Sequence, residues 1–363
     1  MANPAIEPLV ANAWYLAAWS MELPDFEPGR QPIARTILNQ PLVLFRDAGG
    51  TAAALEDRCC HRAAPLRLGQ VVNEGLQCGY HGMTFGADGA CTVNPGEDPA
   101  GHAVRSFPTV ERQRMVWIWP GDPARADPSE IVDYPWHDRP DEWPFRYERF
   151  ELDCNFMLVM DALMDQTHLG YVHAKTIGGA PEFHNAAGQI TTRTENGVKI
   201  VRHVLDHPPP PTFTKGMAFK GNIDRIAEFD YVAPASVRQF TTAMDVGRGA
   251  VENPDQPGTF RFRLFHHATP ATETSCHYFW SVANGYRQDD PQAAQDLYDD
   301  IYPTFLEDKV VLEAQQQSIL RDPDRPLRLR DHDTGVSGAH RALAAFVRRA
   351  KGKRPAPAAV AAE

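Results

Sequence analysis

No run of about 18 apolar residues interrupts the sequence, so no membrane-spanning helix is expected. Positive charge is also scarce. With 36 Lys and Arg against 47 Asp and Glu, the net charge is −11, which disfavours nucleic acid and anionic membranes as partners. Residues 1–10 hold neither a basic stretch nor a long apolar one, so a signal peptide is not expected. Cysteines number six, and Cys60, Cys91, Cys154 and Cys276 follow no regular spacing. That fits reduced thiols in a cytoplasmic protein better than a disulfide framework. No Gly-rich dinucleotide fingerprint follows an expected strand, so NADH is not expected to bind this chain, and there is no internal repeat.

What is present begins with the other two cysteines. Cys59 and His61 form C-x-H, sixteen residues follow, and Cys78 and His81 form C-x-x-H. Interleaved thiolates and imidazoles suit a Rieske [2Fe–2S] centre, in which two cysteines hold one iron and two histidines the other. A structural zinc also accepts two Cys and two His, but zinc knuckles keep their cysteines together as C-x2-4-C, so the order argues against it. Ala52 to Glu56 reads as a strand leading into the first ligand turn. Gly75-Leu76-Gln77 leads into the second, and Met83-Thr84-Phe85 with the Asp88-Gly89 turn reads as the next hairpin. Gly79 and Gly82 are expected to let the backbone approach the inorganic sulfides.

At 363 residues with 43% apolar content, two cores are expected. Val116 to Trp119 reads as a strand closing the first, before a Pro- and Asp-rich stretch that reaches Pro144. The domains are therefore expected at 1–120, short β segments and turns, and at 121–350, α+β. Phe229–Asp245 and Thr259–Phe265 read as strands and Pro291–Leu320 as helix, while residues 351–363 read as a disordered tail.

A second cluster lies in Met157–Leu169, whose apolar residues have helical period and include Asp161, Asp165 and His168, with His173 beyond. Asp165 and His168, three apart, would share one helix face, and Gly170 offers a place for the helix to end so that both histidines converge. Either histidine taken alone could equally be a core residue with its hydrogen bonds satisfied. Two histidines and a carboxylate on one face would leave open positions at non-haem Fe(II). Asp308 falls on an apolar stripe with Leu297, Ile301, Phe305, Val311, Leu312 and Ile319, where an unpaired carboxylate is costly. It needs a cation, either a metal or a buried Arg. Glu307, about 100° around the helix, is expected to face away.

Carrying both clusters, the chain resembles Rieske non-haem iron oxygenases along nearly its whole length, the short vanillate, dicamba and toluenesulfonate oxygenase components above all. The resemblance rests on Asp57-Arg58-Cys59-Cys60-His61-Arg62, Cys78-Gly79-Tyr80-His81-Gly82, Asp165-Gln166-Thr167-His168-Leu169-Gly170-Tyr171-Val172-His173 and Glu307-Asp308-Lys309-Val310-Val311. It implies an all-β Rieske domain followed by an α+β catalytic domain with an antiparallel sheet flanked by helices. By it Cys59, His61, Cys78 and His81 hold the [2Fe–2S] cluster, His168, His173 and Asp308 hold mononuclear iron, and Asp165 is the electron bridge to His81 of a neighbouring subunit in a homotrimer. Relatives commonly carry Pro where Cys60 stands and Asn where Ala162 stands, so Ala162 removes an amide from near the iron. His266 matches a pocket position, with a core or surface histidine as the alternative.

The implied activity is that of a terminal oxygenase. An NADH-dependent flavin and iron–sulfur reductase would supply electrons, and one atom of O2 would enter a methyl or methoxy C–H bond of an aromatic acid. A ring-hydroxylating dioxygenase and a non-catalytic Rieske carrier are the alternatives, although a carrier would stop near residue 120. Arg202, Arg225, Arg238, Arg261 and Arg263 are all candidates to hold a carboxylate or sulfonate.

Overall fold

A computed structural model describes residues 9–352, in two compact units, Leu9–Ile131 with the segment from Val347 onward, and Val132–Phe346. The expectations for residues 1–8 and 353–363 lie outside the described residues.

The first unit is all β: β1 (Tyr15–Trp19), β2 (Ile33–Ile37), β3 (Gln40–Arg46), β4 (Ala52–Glu56), β5 (Gln70–Val72), β6 (Gly75–Gln77), β7 (Thr84–Phe85), β8 (Cys91–Val93), β9 (Ser106–Phe107), β10 (Thr109–Arg112) and β11 (Met115–Ile118). They form three small sheets, ordered β1-β11-β10, β2-β3-β4-β9 and β5-β6-β7-β8. Val43, Phe45, Leu55, Leu66, Leu76 and Phe85 close one core, and Cys59 and Cys78 belong to it.

The second unit is built on an antiparallel sheet of seven strands, ordered β12-β18-β17-β16-β15-β14-β13. In chain order its elements are β12 (Phe145–Leu152), α1 (Phe156–Met164), α2 (Leu169–Val172), α3 (Pro181–Ala186), β13 (Gly188–Arg193), β14 (Gly197–His207), α4 (Pro211–Gly216), β15 (Ile223–Val232), β16 (Ser236–Asp245), β17 (Phe260–Thr272), β18 (Ser275–Asn284), α5 (Ala293–Arg321) and α6 (Thr334–Gly352). Helices with an antiparallel sheet are the α+β class expected. The stretch Phe229–Asp245 divides between β15 and β16 at a turn holding the cis Ala233–Pro234 bond.

Two devices seat the helices that carry the second site. Asn155 caps α1 by accepting from Met157 N at 2.9 Å, donates its own N–H to the Gln316 amide oxygen of α5 at 2.8 Å, and donates from its side-chain amide to Glu273 O at 2.7 Å. It is fully buried with its polar groups engaged, which binds the start of α1 to α5. On the sheet side Trp280 of β18 stacks on Tyr298 at 5.4 Å and meets Phe305 at 4.7 Å. Those rings fix the register of α5 about one turn before Asp308.

Candidate functional site

In the first unit two loops of one shape face each other. Cys59 O accepts from Ala63 N and Cys59 N donates to Ala64 O, while Cys78 O accepts from Gly82 N and Cys78 N donates to Met83 O. The fourth residue after each cysteine takes positive φ, 57° at Ala63 and 78° at Gly82. Asp57 anchors the first loop by accepting from Arg67 N at 2.8 Å and pairing with the Arg67 guanidinium. Gly79 meets a requirement beyond the sulfide approach, since a Cβ there would lie 2.6 Å from Leu68 O.

Both cysteines are buried and both histidines exposed, with the His61 and His81 rings 4.6 Å apart. Burial, together with the neighbouring Cys78 sulfur, pushes the Cys59 thiol up to about 11. Thiolates in such a place need bound cations, and two buried sulfurs with two exposed imidazoles fit a binuclear iron–sulfur cluster held by Cys59, Cys78, His61 and His81.

In the second unit the expected helix Met157–Leu169 is broken. α1 ends at Met164, Asp165 is extended at φ −108° and ψ 116°, and the four-residue α2 follows, flanked by His168 and His173. Side chains close the broken end locally. Gln166 Nε2 donates to Leu163 O at 2.7 Å, and Asp165 Oδ1 accepts from Thr167 N and Thr167 Oγ1, both at 2.8 Å. Asp165 and His168 therefore do not share a helical face, and Asp165 Oδ2 stands 3.9 Å from His168 Nδ1, beyond a hydrogen bond. Gly170 lies inside α2 rather than at its break, where a Cβ would be 2.4 Å from Pro181 Cα. Asp161 turns elsewhere and accepts from His340 Nε2 of α6 at 2.9 Å.

The break brings His168 and His173 to Asp308 on α5, with one ligand atom from each lying within 4.8 Å of the others. Asp308 Oδ1 is 3.1 Å from His173 Nε2 and 3.7 Å from His168 Nε2, and no arginine pairs with it among the described residues. Burial lowers His168 despite the pull of Asp308. In His173, burial is outweighed by the Asp308 and Glu307 carboxylates, which raise it. Two imidazoles and one carboxylate fit a divalent iron with positions left open.

Glu307 does not face away. His173 Nδ1 donates to Glu307 Oε2 at 2.7 Å, and Thr176 Oγ1 donates to the same oxygen at 3.3 Å. From the flank of α5 its longer side chain reaches a ring brought by another segment. A carboxylate on Nδ1 holds the tautomer whose Nε2 faces the open centre. Glu307 was the residue missed; the available signal was the need of a ligating histidine for an acceptor on its second nitrogen.

A cleft of about 470 Å³, including its mouth, opens on the triad. Ala162, Leu163, Phe229, Phe262, Leu264 and Phe305 give it an apolar wall, and Gln239, Thr304 and Arg225 add polar groups. His266 stands behind this wall: its Nδ1 is 2.8 Å from Tyr278 Oη and its Nε2 3.1 Å from Gln239 Oε1. Burial takes it down to about 3, so it is a neutral ring that orients Gln239.

Strand register sorts the five arginines. Arg225, Phe229, Gln239, Phe262 and Leu264 occupy one face of the sheet, joined through the pairs Phe229↔Gln239 and Gln239↔Leu264, and Arg202, paired to Ala227, shares it. Arg238, Arg261 and Arg263 have the opposite parity. There Arg238 pairs with Asp230, Arg263 with Asp255, and Arg261 stacks on Trp143.

Residues 13–108 match the Rieske [2Fe-2S] domain, and residues 152–349 match the vanillate O-demethylase oxygenase C-terminal domain. A putative toluene-4-sulfonate monooxygenase system iron-sulfur subunit from Comamonas testosteroni is 40% identical over 334 residues, 91% of this chain and 94% of that one. The dicamba O-demethylase oxygenase component of Stenotrophomonas maltophilia is 36% identical over 84% of this chain and 87% of its own. The crystal structure of dicamba monooxygenase bound to dicamba superposes with a TM-score of 0.84 at 31% identity, covering 96% of this chain and all (100%) of that one. The chain thus belongs to the Rieske oxygenase components of the vanillate O-demethylase family.

Proposed function

We propose that this chain is the terminal oxygenase of a multicomponent monooxygenase, hydroxylating a methyl or methoxy group of an aromatic substrate. The observation that carries the reading is the convergence of His168, His173 and Asp308 at an apolar cleft large enough for one substituted ring. Cys59, His61, Cys78 and His81 would hold the cluster, in the domain at 1–120, and the triad would hold iron, in the domain at 121–350. Iron bound there supplies O2 activation, with electrons drawn from the cluster. The chain's own residues do the rest. Glu307 fixes the His173 ring, the aromatic wall excludes water, and Ala162 leaves room beside the metal where an asparagine would intrude.

The partners belong to the same proposal: an NADH-dependent reductase, O2, and two further copies in a trimer, with Asp165 completing a path to the neighbour's His81. No helix among the described residues is long and apolar enough to cross a membrane, and a cytoplasmic location is part of the proposal. Of the expected pocket residues, Ala162 would line the substrate site, and His266 would act through Gln239 rather than touch the ring. The test is turnover of methoxy- and methylbenzoates by the purified protein with a reductase and NADH. Formaldehyde or a benzylic alcohol in amounts matching NADH used is expected. NADH oxidation with neither product from any member of the panel counts against the reading.

A further inference from the structure

We propose that Arg225 anchors the anionic group of the substrate, so that the cleft selects aromatic carboxylates or sulfonates over their neutral counterparts; this rests on the oxygenase reading above. Arg225 is 2% exposed and lines the cleft that the triad opens on. Its Nη1 donates to Ile177 O at 2.9 Å, its Nε has no partner, and its guanidinium carbon stands 4.9 Å from the Phe213 ring centroid. Among the described residues no carboxylate pairs with it.

The other arginines considered for the role have their guanidinium ends engaged elsewhere, although the Nε of Arg202, Arg238 and Arg263 is without a partner as in Arg225. Arg238 and Arg263 have aspartate partners on the opposite face, Arg261 is engaged with Gly285 O and Trp143, and Arg202 gives Nη1 to Gln189 Oε1 and Nη2 to His184 O. The charged neighbour of Arg225 is Arg202, of like sign. Burial, with Arg202 beside it, lowers Arg225 only to about 10, so it stays protonated at neutral pH.

A buried cation without a counter-ion is costly, and the cleft that Arg225 lines is where an offsetting charge can reach it. Arg225 and the triad line one cleft whose wall is mostly apolar, Phe229, Phe262 and Leu264 among it, which suits a ring with an acidic group at one end and the reacting carbon at the other. Carboxylate and sulfonate share the paired oxygens that a guanidinium fork accepts.

The test is calorimetric binding to the purified metal-loaded protein near pH 7.5, with matched probes: 4-methylbenzoate and 4-methylbenzamide, 4-methoxybenzoate and 4-methoxybenzamide, toluene-4-sulfonate and toluene-4-sulfonamide. At least one acid should bind about tenfold or more tightly than its amide, as expected for a charge-assisted pair. Which pair gives that ratio separates carboxylate from sulfonate. Arg225→Gln should bring the ratio near one. Arg225→Lys, which keeps the charge without the fork, should weaken acid binding several-fold and leave the amide unchanged, and it decides the matter if the Gln variant does not fold. Absence of acid preference in all three pairs, its survival in Arg225→Gln, or unaltered acid binding in Arg225→Lys would each overturn the anchor. Turnover separates this from the oxygenase reading: an amide oxidised while its acid is ignored removes the anchor alone. An acid held through Arg225 but never oxidised under reducing conditions removes the oxygenase reading alone.

Discussion

At the scale of the residue, Asp308 and Glu307 stand side by side in sequence and do different work. Asp308 meets both histidines through their Nε2 atoms, whereas Glu307 meets only the back of one ring. Asp308→Ala should therefore lose mononuclear iron outright while the cluster still reduces. Glu307→Ala should keep the fold and the cluster spectrum but bind iron about 10–100-fold more weakly, the usual cost of losing a ligand's supporting partner. Metal content after dialysis against graded chelator measures both. A Glu307→Ala protein that holds iron as tightly as the parent would mean that the hydrogen bond to His173 is dispensable.

At the scale of the element, the site depends on a helix that stops early and a short one packed tightly after it. α2 has four residues, too few to be stable alone, so its position comes from what touches it. Two glycines allow that contact: a Cβ on Gly170 would meet Pro181 Cα at 2.4 Å, and one on Gly178 would meet Leu169 O at 2.0 Å. Gly170→Ala should push α2 from α3, costing about 1–3 kcal/mol of stability as overpacked sites do. Because His168 and His173 flank α2, iron content should fall with it. Denaturant unfolding with metal analysis checks the two together, and unchanged iron with unchanged stability would show that α2 has slack the glycine does not need to protect.

At the scale of the whole molecule, the two cysteine–histidine loops lie in Leu9–Ile131 and the triad with its cleft in Val132–Phe346, so the proposed electron storage and substrate chemistry fall in separate units. The proposed trimer joins a cluster on one chain to an iron on the next. Mixing Cys59→Ala chains, expected to lack the cluster, with His168→Ala chains, expected to lack the iron, should then restore activity that neither parent has. The assay is product formation by mixed rings verified by native mass spectrometry. Verified mixed rings without activity would confine electron transfer to one chain and take the ring out of the mechanism. Asp165→Asn should leave both metals bound and slow reduction of the iron, since an amide keeps the size but loses the charge and one acceptor.

Local spacing was enough for much of this. The motifs C-x-H and C-x-x-H each sit in a single short loop, where chain geometry decides what can converge, and the alternating strands and the helix over Ala293–Arg321 are written in periods of two and 3.6. The charge of Asp308 on an apolar stripe was equally legible, because burial of a carboxylate demands a cation wherever it occurs. Tertiary structure alone decided three things. The helix carrying His168 breaks at Asp165 because side chains of Asp165 and Gln166 satisfy the broken end, a competition that periodicity does not register. Glu307 reaches His173 across 134 residues of sequence, so no single helix projection could reveal it. And Arg225 faces the cleft while Arg238, Arg261 and Arg263 do not, because the side of a sheet on which a residue falls is set by register between strands and not by the strand itself.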